Sequence, residues 1–429
     1  MNDERRIAVV GAGLAGLTAA RRLAERGADV TVHEAESDVG GRVRSQNVDG
    51  WTVDRGFQVL FTGYPAVRRE LDLDALDLRR FRPGATIATA DGRSVVGDPL
   101  RDPTAALPTL RNPAVSLGDA LGMLRLRLRL GRASAEALRR RADAVGDRSI
   151  RGHLDGLGFT DRFVEAFVAP FYGGITLDRS LATSAFIFVM TFGALSRGAI
   201  AVPADGMGAV TAQLAERART AGASIRTDET VTDVAADPGD DAAAIRVGGE
   251  ALERDAVVVA TDPSTARDLT DVEAVPTAGR GCVTQWLALP EPLESGRRLL
   301  LHGDGDRPAH VAPTSAVAPE YAPDGDERSL VAVTWLGQPT ADDAALAKEA
   351  RERLGTWEPT VGAADAELLH TNRVPFAQFA QPPGFRDRLA DVDDPDGPVV
   401  LAGDHTEWSS IQGALRSGRR AAEAASDRV

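Results

Sequence analysis

The spacing of apolar residues changes twice within the first 34 positions of the chain. Residues 7–10 form a short apolar run typical of a buried strand, and residues 14–26 carry apolar side chains at helical spacing. Residues 29–34 then alternate between apolar and polar side chains, which predicts a second strand. A turn rich in glycine separates the first strand from the helix, and Gly27 is placed to end that helix. The pattern therefore predicts a βαβ unit.

Farther along the chain, the apolar pattern predicts helices and strands in separate stretches. Residues 65–195 are mostly of helical period, and residues 281–337 contain several short apolar runs that indicate an antiparallel sheet. Two short apolar runs, 256–260 and 399–402, have the composition of strands that are buried on both faces. A last helix is predicted over residues 410–425. Together with the βαβ unit, these elements predict an α/β fold.

The segment 124–130 is ambiguous because leucine and arginine alternate strictly in it. A period of two is typical of a strand, but the segments on both sides look helical, so we predict one long arginine-rich helix. Two interpretations of its arginine face stay open. The face is either simply solvated, or it docks through residues 125–129 onto a membrane surface or a partner protein.

Composition and charge narrow the class of protein. The 429 residues, of which 43% are hydrophobic, suit two intertwined domains with sizeable cores. The formal net charge of −14 repels nucleic acid, so we expect no nucleic-acid partner. Lys348 is the single lysine beside 48 arginines, and 41 of the 63 acidic residues are aspartate. A GC-rich genome would explain the missing lysine, but the aspartate excess favours a halophilic protein adapted to a salt-rich cytoplasm.

Several kinds of site are absent from the sequence. Cys282 is the sole cysteine, so the chain forms no internal disulfide and has no paired-cysteine redox centre. The sequence shows no metal-ligand spacing and no Gly-x-Ser-x-Gly motif, and we predict no metal site. The longest apolar run, residues 185–195, is far shorter than the roughly 20 residues that a membrane span needs, and no leader pattern precedes the first strand. We therefore expect a cytoplasmic protein.

The glycine-rich turn has the spacing of a dinucleotide-binding site. Gly11 permits a tight turn, Gly13 lets the backbone approach a pyrophosphate, and Gly16 lets the helix pack closely on the strand. The first helical residues, Leu14 and Ala15, offer N–H groups and the partial positive charge of a helix N-terminus. The sequence therefore predicts that a dinucleotide cofactor binds at the start of this helix.

Residues after the second strand favour FAD over NAD. Glu34, followed by Ala35, ends that strand 18 positions after Gly16 and is placed to accept hydrogen bonds from ribose hydroxyls. Arg42 follows a flexible glycine pair that ends at Gly41, so its planar guanidinium can turn back onto the pyrophosphate. Because an NAD-binding unit has no need of that arginine, we predict FAD.

A second part of the predicted site lies almost 400 residues away. Gly403 and Asp404 directly follow a buried strand, where the carboxylate is placed to bind a ribityl-type polyol. Ser410, Ile411 and Gly413 open the last helix and supply a second helix N-terminus. We expect this N-terminus to face the N1–C2=O edge of a flavin, since positive charge there favours the reduced flavin anion.

Several short segments resemble motifs of the flavin amine oxidase superfamily, which includes monoamine oxidases, protoporphyrinogen oxidases and phytoene desaturase-like enzymes. They lie at residues 9–17, 33–35, 40–45, 54–56, 203–207, 257–261, 403–404, 410–414 and 417–418. The resemblance implies an α/β fold in which a Rossmann-like FAD-binding domain, built on a parallel sheet, holds an inserted α+β substrate domain. It also implies that FAD is bound without a covalent link.

The same resemblance implies how the chain is divided and which further residues surround the cofactor. The FAD-binding domain would be residues 1–60, 200–262 and 398–429, and the substrate domain residues 61–199 and 263–397. The backbone of Val231 would face the adenine, and Ala260 would lie beside the cofactor. Gly56, Phe57 and Gln58 would pass near the isoalloxazine ring.

The expected chemistry is hydride removal from an apolar substrate. Amine oxidases of this superfamily usually hold a water near flavin N5 with a lysine, but Lys348 lies in a polar-faced helix and is expected at the surface. Residues 371–379, followed by 382–384, look more like the desaturase and protoporphyrinogen oxidase branch. We therefore expect an oxidase or desaturase of an isoprenoid or tetrapyrrole-like substrate. Tyr172 and residues 186–192 are candidates either for lining its tunnel or for packing the core.

The remaining catalytic predictions concern the proton and the electrons. His405 is the candidate acid or base among six histidines, and Gln58 is a candidate to contact the flavin edge. The sequence has no second strand–GxGxxG–helix unit, so we expect dioxygen or a quinone as electron acceptor rather than NAD(P)H. Three alternatives stay open: a redox-neutral isomerase, an amine oxidase, and a flavin-binding protein without catalysis that docks through residues 125–129.

Overall fold

The computed structural model describes residues 5–236, 239 and 241–428. Its strands are β1 Arg6–Val10, β2 Asp29–His33, β3 Ser45–Val48, β4 Trp51–Asp54, β5 Leu60–Phe61, β6 Leu78–Arg80, β7 Ala85–Thr89, β8 Gly92–Val96, β9 Ile200–Pro203, β10 Ser224–Arg226, β11 Val231–Ala235, β12 Ala243–Val247, β13 Glu250–Arg254, β14 Ala256–Val259, β15 Gly279–Leu289, β16 Leu299–His302, β17 His310–Ala312, β18 Ser329–Leu336, β19 Glu367–Phe379 and β20 Val399–Leu401. Its α-helices are α1 Leu14–Ala24, α2 Pro65–Glu70, α3 Ala106–Arg111, α4 Leu117–Gly131, α5 Ala135–Asp143, α6 Ile150–Gly156, α7 Asp161–Phe163, α8 Ala169–Thr176, α9 Ala185–Arg197, α10 Gly208–Thr220, α11 Pro263–Thr270, α12 Thr314–Val317, α13 Asp343–Trp357 and α14 Ile411–Asp427.

A parallel sheet with the strand order β10-β2-β1-β14-β20 carries the glycine-rich turn. Each neighbouring pair of strands in it is parallel. Apart from the exposed Arg6 at the start of β1, strands β1 and β14 consist of apolar residues that are almost fully buried, as expected for strands covered on both faces. One of these covering layers contains α1, which packs between α10 and α14. The predicted α/β class with a Rossmann-like βαβ start is confirmed.

The direction of these strands places the ends of distant segments at one edge of the sheet. Gly11 follows β1, Glu34 follows β2, Ala260 follows β14, and Gly403 comes just after β20. Because the strands are parallel, these residues emerge at the same carboxyl edge, where ligands bind in open α/β sheets. A ligand site is therefore expected at this edge.

A second sheet has the strand order β19-β15-β18-β17-β16-β7-β8 and is antiparallel except for the pair β16–β7. β15 is its long inner strand and pairs with β18 on one side and β19 on the other. One face of this sheet packs on α13 in a separate apolar cluster. The antiparallel sheet predicted over residues 281–337 is confirmed, with β7, β8 and β19 added to it.

Residues 65–195 are mostly helical, as predicted, but the short strands β6, β7 and β8, which the pattern did not indicate, interrupt the first part of this segment. None of these strands exceeds five residues. β7 and β8 form a hairpin, and β7 also pairs in parallel with β16, which lies far later in the chain. A strand this short takes its conformation from its partner more than from its own period, so the local pattern did not reveal it.

Helix α4 contains residues 124–130, which confirms the predicted arginine-rich helix. Its start is fixed by a capping box, in which the Ser116 hydroxyl accepts from the Asp119 N–H and the Asp119 carboxylate accepts from the Ser116 N–H. Leu126 and Leu130 are buried, and α4 packs on α9. The alternating leucines therefore divide between two faces of a helix, with Leu126 and Leu130 toward the core and Leu124 and Leu128 toward solvent.

Helix α9 contains the whole apolar run of residues 185–195, which was too short for a membrane span, and most of its residues are buried inside the molecule. Across the described part of the chain, the helices do not reach the combination of length and hydropathy that crossing a membrane requires.

Candidate functional site

The glycine-rich turn leaves open space at the start of α1. Gly11 has a φ of +101° and donates its N–H to the carbonyl of His33 at 2.8 Å, which closes the turn against β2. A Cβ on Gly16 would lie 2.0 Å from the carbonyl oxygen of Gly11, so only glycine fits there. A Cβ on Gly13 would meet no atom within 4 Å. The space in front of Gly13 therefore admits a ligand at the helix N-terminus, beside the buried residues Leu14 and Ala15.

Glu34 stands beside this space with its carboxylate held by the backbone. One carboxylate oxygen accepts from the N–H of Ala12 at 2.7 Å, and the other accepts from the N–H of Glu36 at 3.0 Å. Glu34 is buried, whereas its neighbour Ala35 is exposed. The two hydrogen bonds fix the carboxylate at the end of β2, against the backbone of Ala12, the residue that precedes Gly13.

The two ends of the chain meet in an ion pair between Arg42 and Asp404. The Arg42 guanidinium donates to Asp404 Oδ1 at 2.6 Å and to the carbonyl of Ala377 at 3.1 Å. Ser409 donates its hydroxyl to Asp404 Oδ2 at 2.7 Å. Burial alone would raise the pKa of Asp404, but the charge of Arg42 and these hydrogen bonds hold it below its ordinary value. Asp404 is therefore an ionised acceptor, and a contact between Arg42 and a pyrophosphate stays a prediction.

The loop with Gly56, Phe57 and Gln58 lies directly against this ion pair. Gln58 donates its amide to the carbonyl of Arg42 at 2.7 Å, while its Oε1 is buried without a hydrogen-bond partner among the described residues. The N–H of Phe57 donates to the hydroxyl of Thr284 at 3.3 Å. Gly56 adopts a φ of +87°, with its open face toward Thr284. The loop thus joins the first sheet's edge to β15.

His405 is buried next to Asp404 and has no partner for either ring nitrogen within the described chain. Burial lowers its pKa to about 4, so the imidazole is neutral at physiological pH. The ring packs on Gly403, where a Cβ would lie 2.2 Å from the imidazole Cε1. A buried neutral imidazole is a weak base and carries no charge, which limits the role predicted for His405 to neutral hydrogen bonding or proton acceptance.

The N-terminus of α14 is shaped by its own residues. Ser410 caps the helix by accepting from the N–H of Gly413 at 2.8 Å. Gly413 has no room for a side chain, because a Cβ there would lie 2.1 Å from the carbonyl of Trp408. Ile411, the first residue of the helix, is half-buried. This packing ties the helix start to the loop that carries Asp404.

Ala260 and Val231 approach the glycine turn from the far side. Ala260 donates its N–H to the carbonyl of Val10 at 2.8 Å, and its own carbonyl leaves no room for a side chain on Gly11. Val231 begins β11, and Glu229, two residues earlier, donates its N–H to the carbonyl of Glu34 at 2.9 Å. The segment before Val231 therefore lies against the end of β2.

Tyr172 lies apart from the ion pair, within an aromatic cluster. Its ring centroid is 4.9 Å from that of Phe188, and its phenol oxygen accepts from the hydroxyl of Thr191 at 3.3 Å. Burial raises its pKa, so the phenol stays protonated. The ring of Tyr64 lies 6.0 Å from that of Trp408, in the loop that carries Asp404. Tyr172 therefore belongs to the apolar wall and makes no hydrogen bond to the other predicted site residues in the described structure.

Two residues that the sequence analysis did not select lie beside the Gly56–Gln58 loop. Thr284, on β15, accepts the hydrogen bond from Phe57. The ring of His310, on β17, lies 5.4 Å from that of Phe57, and its buried Nε2 has no described partner. Burial lowers the pKa of His310 to about 4. Since both residues sit on strands of the second sheet, no local motif marks them. For His310, the signal is its buried Nε2, which has no hydrogen-bond partner in the described chain.

Lys348 is at the surface, as predicted. Its side chain is 77% exposed and lies 3.9 Å from the carboxylate of Glu352 one helical turn later. The single lysine of the chain is therefore far from any role in holding a water inside a buried site.

The arrangement fits a flavin dinucleotide on three observations. The space at Gly13 is open where a pyrophosphate would meet the helix N-terminus, and the Glu34 carboxylate is fixed next to it. Asp404 is ionised at the same edge. The buried Gln58 Oε1 and the Trp408 indole N–H lack partners in the described chain, so polar groups stand ready for a ligand.

Comparison with known proteins agrees with this fit. The model of the family described as flavin containing amine oxidoreductase matches residues 14–426. A phytoene dehydrogenase of Streptomyces griseus is 30% identical over a region that covers 60% of this chain and 54% of that protein. A carotenoid phi-ring synthase of the same organism is 30% identical over 99% of this chain and 88% of that protein.

The fold has solved counterparts as well. An oxidoreductase from Methanosarcina mazei superposes with a TM-score of 0.72 at 17% sequence identity, covering 97% of this chain and 100% of that one. A likeness at this identity supports the fold, while the family match over nearly the whole chain supports the cofactor. The chain therefore belongs to the family of flavin-containing amine oxidoreductases and is an FAD-dependent oxidoreductase.

Proposed function

We propose that the protein is an oxidase or desaturase that removes hydride from an apolar substrate of isoprenoid or tetrapyrrole type. The observation that carries this proposal is the aromatic character of the side of the Gly56–Gln58 loop on which Phe57 packs, away from the ion pair of Arg42 and Asp404. Phe57 packs on His310 and on Phe81, and the two ring pairs lie 5.4 and 6.2 Å apart. The one lysine of the chain is exposed elsewhere. A site of this kind suits an apolar molecule better than an amine.

The cofactor is FAD, held without a covalent bond. In this arrangement the N-terminus of α1 at Gly13 receives the pyrophosphate, Glu34 receives ribose hydroxyls, and ionised Asp404 receives hydroxyls of the ribityl chain. Burial raises the pKa of Cys282 to about 11, so its thiol stays protonated and is a poor nucleophile for covalent attachment.

Bound FAD supplies a hydride acceptor at N5 and a carrier that passes the electrons to dioxygen or a quinone. The chain's own residues do the rest. The aromatic wall around Tyr172 and Phe188 excludes water and holds the substrate by apolar contact. When a C–H bond gives up hydride and a neighbouring C–H gives up a proton, a C=C bond forms. Neutral His310, with its unpartnered Nε2, is placed to accept that proton.

The test is an anaerobic flavin-reduction screen at molar salt with isoprenoid, porphyrinogen and primary-amine substrates. We expect an apolar substrate to bleach the visible absorption of the flavin, and amines to leave it unchanged. The variant Lys348→Met serves as a matched control and should reduce at the wild-type rate. Fast bleaching by a primary amine would refute the proposal, and so would product formation without net bleaching, which is the behaviour of a redox-neutral isomerase.

The variant His310→Gln tests the proposed proton acceptor. We expect slower flavin reduction at saturating substrate, with the KM for the substrate little changed, because the residue acts on the proton and not on binding. Retention of FAD and an unchanged melting temperature would show that the variant is folded. An unchanged reduction rate in a folded variant would remove His310 from the mechanism.

A further inference from the structure

Exposed leucines are concentrated on one surface of the molecule. Among the described residues, the large apolar side chains with high exposure all lie between positions 100 and 157, and all are leucine. Four of them, Leu117, Leu121, Leu124 and Leu128, follow one another along α4 at spacings of four, three and four residues. This spacing places them in one stripe of the helix. Leu117 is 76% exposed, so the stripe faces solvent while Leu126 and Leu130 face the core.

Arginines flank the leucine stripe. Arg125, Arg129 and Arg132 follow at helical spacing on the neighbouring face and are exposed. In the described part of the chain, no carboxylate lies within 4 Å of these three guanidinium groups. Long arginine side chains can lay their aliphatic stems on an apolar surface and keep their charge in a polar layer. The leucines and arginines of α4 together define what we call the α4 surface.

The charge of this region is opposite to that of the rest of the chain. Residues 99–142 contain nine arginines and three carboxylates, a net charge of +6, so the rest of the chain carries −20 to reach the overall −14. Two of the three carboxylates are buried, because Asp102 pairs with Arg298 and Asp119 is held by Ser116 and Thr160. Three of the arginines are paired, Arg127 with Asp98, Arg139 with Glu407 and Arg140 with Glu136. The positive charge that α4 and its C-cap leave without a carboxylate partner in the described chain is therefore that of Arg125, Arg129 and Arg132.

We propose that the α4 surface docks on an anionic lipid membrane, with the leucines in the apolar layer and the arginines among the headgroups. A second copy of this chain would bring the same positive charge and would be repelled. The aromatic anchors typical of protein–protein interfaces are missing from the stripe, which consists of leucine alone. An in-plane helix with an apolar face and a basic flank is the pattern of interfacial membrane binding.

A row of aromatic rings leads from α4 into the interior of the protein. A side chain on Gly122 would lie 3.0 Å from the ring of Phe159, so that ring packs directly beneath the helix. From Phe159 a row of rings at every fourth residue, Phe163, Phe167 and Phe171, continues with centroid spacings of 5.5 to 5.7 Å and ends next to Tyr172. An aromatic row thus connects the α4 surface with the wall assigned to the substrate. The docking itself does not depend on which substrate the enzyme oxidises.

The proposal is tested by vesicle flotation of the full-length, FAD-loaded protein. The vesicles are phosphatidylcholine alone and phosphatidylcholine with 30% phosphatidylglycerol by design, each at low salt and at about 1 M salt, where the screening length falls to roughly 3 Å. We expect the wild type to float with the anionic vesicles at low salt and more weakly with neutral ones. Arg125→Gln with Arg129→Gln should weaken anionic binding roughly fivefold per arginine.

Two further variants separate charge from apolar contact. Arg219→Gln with Arg246→Gln removes the same charge from exposed positions outside α4 and should float like the wild type. Leu117→Ser with Leu121→Ser should weaken binding to both vesicle types about tenfold or more, and should do so at high salt as well. Flavin absorption and melting temperature check that each variant is folded.

Three results would overturn the proposal. Recovery of the wild type at the bottom of the gradient with anionic vesicles present would exclude lipid docking. Equal vesicle binding by the Arg125→Gln/Arg129→Gln variant and the Arg219→Gln/Arg246→Gln control would show that binding depends on total charge and not on the α4 surface. A dimer that dissociates in the leucine variant, without flotation of the wild type, would assign the surface to a second copy. Substrate turnover is not measured, so failure here is distinct from failure of the proposed reaction.

Discussion

Two alanine substitutions in the glycine-rich turn, Gly13→Ala and Gly16→Ala, should distinguish a loss of cofactor binding from a loss of folding stability. Gly13→Ala places a methyl group where no atom lies within 4 Å, and the backbone φ of −78° suits alanine. Gly16→Ala places one 2.0 Å from the Gly11 carbonyl and 3.1 Å from the Ala260 Cβ. We expect the first change to spare the apoprotein and impair FAD binding, and the second to destabilise the protein with or without FAD.

The magnitudes follow from what each methyl group displaces. At Gly13 it keeps the pyrophosphate from the helix N-terminus, and losing one charge-assisted hydrogen bond costs about 1.5–3 kcal/mol. FAD should therefore bind roughly ten- to hundredfold more weakly. At Gly16 the clash is with backbone that cannot move without shifting β1 from α1. Overpacking of this kind typically destabilises by about 1–3 kcal/mol.

The assay measures the melting temperature of each apoprotein and the dissociation constant of FAD by quenching of flavin fluorescence. Gly13→Ala apoprotein should melt with the wild type, and Gly16→Ala apoprotein should melt lower. Wild-type FAD affinity in Gly13→Ala would refute the reasoning, because it would mean that the pyrophosphate does not approach this residue. A lowered melting temperature of the Gly13→Ala apoprotein would show that the space in front of Gly13 is not open.

Two other predictions concern acid stability and the ion pair. Burial lowers the pKa of all six histidines in the folded protein. As the pH falls, the histidines of the unfolded chain therefore take up protons before those of the folded protein do. The free energy of unfolding loses nothing to the histidines above about pH 6.5 and decreases as the pH falls toward 4. The variant His310→Gln should lose roughly 3 kcal/mol less unfolding free energy on acidification, because it has no imidazole to protonate. The measurement is the urea midpoint as a function of pH, which should vary less in the variant. An unchanged profile would contradict the lowering of the His310 pKa by burial. Arg42→Ala should weaken FAD retention at least tenfold, measured by gel filtration, whereas Arg55→Ala, an exposed arginine of the same region, should not. Full FAD occupancy in Arg42→Ala would exclude a cofactor role for that arginine.

The ion pair between Arg42 and Asp404 also suggests how cofactor binding and folding are coupled. It joins the segment after β2 to the segment after β20, with Gln58 and Ser409 as further hydrogen-bonding partners. Both ends of the chain contribute to one edge of the parallel sheet. Truncation of either end would therefore remove half of the cofactor site and not only a peripheral element.

The sequence by itself determined the elements whose reasons are local. The period change over residues 7–34 defined β1, α1 and β2, and Gly16 is required by its close contact with the carbonyl of Gly11 inside that one unit. The fold class, the helical state of residues 124–130 and the surface position of Lys348 follow from composition and spacing in the same way. Such features are readable because neighbouring residues supply both the pattern and the contact.

Tertiary structure decided what depends on distant partners. Strand β7 is shaped by pairing with β16 and β8 by pairing with β7, so the helical pattern over residues 65–195 did not reveal these two strands. Thr284 and His310 come to the Gly56–Gln58 loop only because two strands of the second sheet pass there. Burial, and with it the low pKa of His405 and His310, arises from the whole surrounding core. A linear pattern carries no record of such contacts, because each residue's neighbours in space are set only when the sheets and helices close around it.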